Sequence, residues 1–167
     1  MGFSGISVNS KTSRDKLAQE IIHYKNFEEV YLFIKSNDNK QGNRAAWTLT
    51  KVNETISNWL PHYFDDILKW LPQMKTQGIH RSIIKIVATN SILPEENESE
   101  WIDFCYEKLQ NVDVDIAVKV YSMELLCKFC IKYPDLINEF KIVLEEGSKI
   151  YSKAYSGRAK KIYKKLG

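Results

Sequence analysis

Apolar side chains in this chain recur every three or four residues and almost nowhere every second one, which predicts helices and no strands. Leu17, Ile21 and Tyr24 fall at i, i+4 and i+7 behind a candidate cap, Ser13. Asn26 with Glu29 three residues on has the form of a capping box. It opens a second helix with an apolar face of Phe27, Val30, Tyr31 and Ile34. A polar break over 37–42 precedes a helix at about 43–58, with Ala45, Leu49, Val52 and Ile56 on one side. Pro61, suited to a first helical turn, opens its partner, carrying Phe64, Ile67, Leu68 and Leu71. The same alternation predicts a long helix at about 79–92 and then a shorter one behind Asn97 and Glu100, a second capping-box pattern. A long helix follows at about 114–132, then one opened by Pro134, and a final helix at about 155–166.

These helices repeat. Trp47-x-Leu49, Ile84-x-Ile86 and Met123-x-Leu125 take equivalent places in three long helices, spaced 37 and 39 residues apart, and Tyr163 follows after 40. Gly42, Gly78 and Gly157, just before Arg44, Arg81 and Arg158, mark three expected helix starts. A period of this length built from two helices is the signature of a stacked helical array. The segments NRAAWTLTKV (43–52), HRSIIKIVA (80–88), AVKVYSMELLCKFCIKYPDL (117–136) and SGRAKKIYKKL (156–166) resemble the HEAT-repeat, armadillo-type α-α superhelix. They look like a family of small bacterial HEAT-like proteins of no established activity. The resemblance implies an all-α superhelix of stacked antiparallel helix pairs, about four pairs plus a C-terminal helix. Residues 1–12 are expected to be a flexible lead-in and 13–167 a single repeat domain.

Composition agrees with a folded chain: of 167 residues 44% are hydrophobic and 27% charged, with 7 Gly and 4 Pro. Neither a signal peptide nor a run of about 20 apolar residues is visible. Three cysteines, an odd number, fit a reducing compartment. A cytoplasmic chain without membrane contact is the expectation.

Candidate chemistry is sparse. Cys127 and Cys130 lie deep in a long helix among Leu125, Leu126, Phe129 and Ile131, far from the helix N-terminus that would activate a thiolate. They read as buried apolar fillers. No second Cys pair or His pair completes a zinc site, and His23, His62 and His80 are far apart. Neither a nucleophile elbow, a phosphate-binding loop nor the Ser-rich loop of adenylosuccinate lyases is present. The chain is therefore expected to be no enzyme, with no cofactor and no metal.

Charge is unevenly placed. Residues 147–167 carry seven basic residues and no acid, leaving 17 basic against 21 acidic residues, a balance of −4, over 1–146. Segment 95–110 balances at −5 and segment 134–146 at −3. In HEAT-like arrays such second helices line the concave surface, so the resemblance implies an acidic partner surface centred on Asp66, Asp103 and Glu145. The expected function is a non-catalytic protein-binding or scaffold module with a protein partner. The alternative is a nucleic-acid-associated protein, like HEAT-like DNA-repair glycosylases, using Arg158, Lys160, Lys161, Lys164 and Lys165. Acidic second helices oppose it, because phosphate neutralisation supplies most nucleic-acid affinity.

Overall fold

The computed structural model describes residues 7–167. Among them are nine α-helices and no strand: α1 (Lys11–Tyr24), α2 (Phe27–Ser36), α3 (Lys40–Thr55), α4 (Phe64–Trp70), α5 (Gln77–Thr89), α6 (Glu98–Gln110), α7 (Ile116–Lys132), α8 (Ile137–Ile150) and α9 (Lys153–Leu166). Two compact units divide the chain, one up to Ile86 and one from Val87 to Gly167.

In the first unit α1 and α2 both pack on α3. Helix α1 starts earlier than its apolar pattern suggests. Its cap is Ser10, not Ser13: the Ser13 amide donates to Ser10 Oγ at 3.1 Å and the Ser10 amide donates to Ser13 Oγ at 3.0 Å. The expected lead-in thus contributes Lys11 and Thr12 to α1, and Val8 is buried; residues 1–6 lie outside the described residues. Asn26 and Asn97 occupy N-cap positions, yet neither side chain makes a capping hydrogen bond. Asn97 is in left-handed backbone, at φ 54°, not the extended conformation from which a cap side chain reaches the first turn. Neither capping box therefore forms. Asn39 does cap α3, its Oδ1 accepting from the amides of Gln41 and Gly42. The partner read from Pro61 is a 3₁₀ turn, Leu60–Tyr63, continued by the seven-residue α4.

Asp38, in the turn after α2, accepts from the amides of Lys75 at 2.8 Å and Thr76 at 2.9 Å, just ahead of α5. The end of one helix pair thereby satisfies backbone donors at the start of the next. Gly78 serves the same junction: a Cβ there would lie 2.1 Å from Asn43 Oδ1 of α3. Gly42 and Gly78 do sit in first turns, but Gly157 is the fifth residue of α9, not its start.

In the second unit α7 packs on α6 and α9, and α8 packs on α9. Helix α7 is buried on several sides through Val118, Met123, Leu125, Leu126, Cys127, Phe129 and Cys130. That is why its apolar pattern is broader than a single stripe. Of the equivalent positions, Leu49, Ile84, Ile86, Met123 and Leu125 are buried, whereas Trp47 is half-buried and Tyr163 is 39% exposed. Helix α8 meets α9 closely at Gly147, where a Cβ would lie 2.2 Å from the Tyr155 hydroxyl.

Candidate protein-interaction site

Asp66, on α4, is held by groups from α2. Its Oδ2 accepts from the Tyr31 hydroxyl at 2.6 Å, and Lys35 Nζ lies 2.9 Å from the same oxygen. Trp70 Nε1 donates to the Tyr31 hydroxyl at 2.9 Å, and Trp70 is buried. Burial pushes the Asp66 carboxyl up, but the hydrogen bonds from Tyr31 and Lys35 outweigh it and hold it below the usual carboxylate range. Asp66 thus acts first as a tie between α2 and α4, with about a third of its side chain exposed. Its neighbour Asp65 turns to Lys69, at 3.8 Å.

A chain of rings runs beside this tie. Phe27 stacks on Trp59 at 5.4 Å and 12°, Trp59 meets Tyr63 edge-on at 6.0 Å, and Tyr63 lies 4.2 Å from Tyr31. Phe27, Trp59 and Tyr63 are half-buried. Trp59 sits in the turn before α4, its Nε1 donating to Ile56 O. The rings are plain in the sequence, but their convergence comes from packing across α2 and α4.

In the second unit Asp103 is exposed on α6 and lines an open pocket of about 500 Å³ with Tyr106, Glu107, Gln110 and Asn111. The Tyr106 hydroxyl oxygen is shut off from solvent and has no hydrogen-bond partner among the described residues. Burial raises the Tyr106 pKa, and the Glu139 charge on α8 adds to the shift. Glu145 is exposed on α8 and pairs with Lys149 one turn on, at 3.3 Å. Ile142 and Ile150 of the same helix are 58% and 69% exposed. The surfaces of α6 and α8 therefore combine carboxylates, exposed isoleucines and an open pocket. Asp66 belongs to the other unit.

Helix α9 buries Tyr155, Ala159 and Ile162 and exposes Lys160, Lys161, Lys164 and Lys165 to varying degrees. Arg158 differs: its Nη1 lies 2.6 Å from Glu124 Oε1 of α7, so that charge is engaged inside the unit. Lys128 of α7 donates to Asn90 O at 2.7 Å; burial and the Lys165 charge lower its pKa.

Lys119 carries no mark in the residue pattern. It is fully buried on α7, and Nζ donates to the carbonyls of Lys108 at 2.8 Å, Leu109 at 3.2 Å and Asn111 at 2.5 Å. It also lies 4.4 Å over the Tyr151 ring. A lysine on α7 thus caps the C-terminus of α6, where carbonyls lack intrahelical donors and the dipole favours a cation. Burial lowers its pKa to about 8.

Cys105, Cys127 and Cys130 are free and buried. Burial pushes the Cys127 and Cys130 thiols up, Cys130 to about 12, away from nucleophilic thiolate. Among the described residues no group of three His, Cys, Asp or Glu could hold a metal ion. No helix among them is long and apolar enough to cross a membrane.

No curated protein and no solved structure matches the chain. A family model, the HEAT repeat domain, matches residues 7–166, which span all nine helices. The repeat spacing, the all-helical units and this match agree: the chain belongs to the HEAT repeat family.

Proposed function

We propose that this chain is a non-catalytic protein-binding or scaffold module, and that acidic second-helix surfaces are its contact region. Helical repeats commonly act through extended surfaces and need no reactive group for it. The observations that carry the reading lie on α6 and on α8. There Asp103 stands exposed at an open pocket, and Glu145 stands exposed on a helix that leaves isoleucines in water. Exposed apolar residues rimmed by polar and charged ones are the make-up of a contact patch. On the first unit by itself, the exposed edge of Asp66 is a further acidic point of contact that keeps its structural role.

The test is affinity capture from the native cell with wild type and with an Asp103→Lys, Glu145→Lys variant. A reproducible protein partner retained by wild type and lost by the variant supports the module. Recovery of nucleic acid or a small molecule in its place overturns it.

A further inference from the structure

We propose that the ring ladder Phe27–Trp59–Tyr63, with the Glu28 carboxylate at its edge, is a docking site for an arginine side chain of a partner protein. The inference rests on the binding-module reading and names the chemistry of one contact. Phe27 and Glu28 share the first turn of α2, while Trp59 and Tyr63 approach from the segment that opens α4. The three rings are half-buried, so part of each side chain stays in contact with water. Glu28 is exposed and makes no ion pair among the described residues. It lies close enough to raise the Tyr63 pKa, in addition to the larger effect of burial.

Charge decides the occupant. The exposed Glu28 carboxylate disfavours phosphate and favours a cation. Aromatic faces attract cations electrostatically, and a guanidinium both stacks flat and donates to a carboxylate in one plane. The chain builds this combination internally. The Arg14 guanidinium lies 4.7 Å over the Trp47 ring while its Nη2 pairs with Asp15 at 2.6 Å. At Phe27, Trp59, Tyr63 and Glu28 the rings and the acid are present, and Lys35, on the same helix α2, is already engaged by Asp66. The ladder therefore offers the aromatic and anionic halves of the arrangement that Arg14 completes elsewhere.

The experiment is an NMR titration of the full chain with a tetra-arginine peptide, and with a tetra-citrulline peptide as the neutral isostere. The Trp59 indole N–H and the Glu28 amide should move with arginine and stay still with citrulline. Glu28→Gln should weaken binding at these resonances about two- to fivefold, the worth of one exposed ion pair. Trp59→Leu should weaken it about five- to thirtyfold through the lost π face. Tyr63→Phe, which keeps the ring, should bind like wild type. Shifts confined to α6 and α8, or equal shifts with citrulline, overturn the proposal. If Trp59→Leu does not fold, an unchanged affinity in Glu28→Gln alone overturns it. Such a failure would leave the binding-module reading standing, since that reading is decided separately, by affinity capture and nucleic-acid titration.

Discussion

Replacing Lys119 by methionine tests whether a buried ammonium holds the end of α6. Methionine keeps most of the stem volume and removes the donor from three carbonyls. Those of Lys108 and Asn111 are only partly buried and can turn to water, whereas the Nζ contact with Leu109 O is buried. One stranded buried carbonyl costs about 1–3 kcal/mol, and the lost cation at a helix C-terminus adds about 0.3–1 kcal/mol. Against this stands relief from burying a charge, which offsets part of the cost. The expected net destabilisation at neutral pH is about 1–3 kcal/mol, read from urea unfolding of both chains. The pH dependence carries the sign. The folded pKa is about 8 against an ordinary 10.5, so between these values the unfolded chain holds the proton more often. Wild-type stability relative to Lys119→Met should therefore rise from pH 8 to pH 10.5, by at most about 1.4 kcal/mol per unit of pKa difference. The reasoning is refuted if the Lys119→Met variant matches wild type at neutral pH, or if the wild-type advantage shrinks across that window.

Leu125→Ala should cost about 2–5 kcal/mol by cavity formation in α7; a loss below about 1 kcal/mol in the same unfolding assay would show that the site collapses. Cys130→Ala should fold with a modest loss, and the native thiols should react with a thiol reagent only as fast as the protein opens, so rapid labelling would contradict their burial. Changing Lys160, Lys161, Lys164 and Lys165 to Ser should leave DNA and RNA titrations almost unaltered at physiological salt. Non-specific affinities are usually about 10⁻⁴–10⁻⁶ M there, and sub-micromolar binding lost in that variant would make α9 a nucleic-acid site and defeat the scaffold reading. Asp38→Ala should destabilise the first unit near neutral pH and flatten its acid dependence in the same unfolding assay. Burial pushes the Asp38 carboxyl up, but the amides of Lys75 and Thr76 outweigh it and hold the carboxyl below its usual value of 3.8. Its stabilisation is therefore present above that value and fades as pH falls through the lowered one; an unchanged acid limb in the variant would contradict this.

Helix existence and period were legible because each amphipathic stripe is a local property of the chain. Helices α5 and α7 begin within about two residues of their patterned starts. Caps were less legible. Ser10 and Ser13 are both competent cap residues, and residue type alone does not choose between them. Asn97 failed as a side-chain cap because its backbone is left-handed, which its residue type permits but does not require. The candidate site was legible only as charge. Asp66 could be seen as an acid on a second helix, but its partners Tyr31 and Lys35 lie 35 and 31 residues away and arrive by packing. Lys119 could not be found at all, since a lysine in a helix ordinarily reads as solvent-facing and its three acceptors are backbone atoms that leave no trace in the residue pattern.

The Asp38 tie bears on the order in which a nascent chain can close. Its partners are the amides of residues 75 and 76, and the Tyr31–Asp66 and Tyr31–Trp70 links close earlier still. These fastenings of the first unit are thus complete in sequence before residue 87, where the second unit begins. Loops of this length cost little more to close than shorter ones, because the entropy grows only with the logarithm of length. During synthesis the amino-terminal unit can therefore reach its native hydrogen bonding while the basic carboxy-terminal helix has yet to be translated.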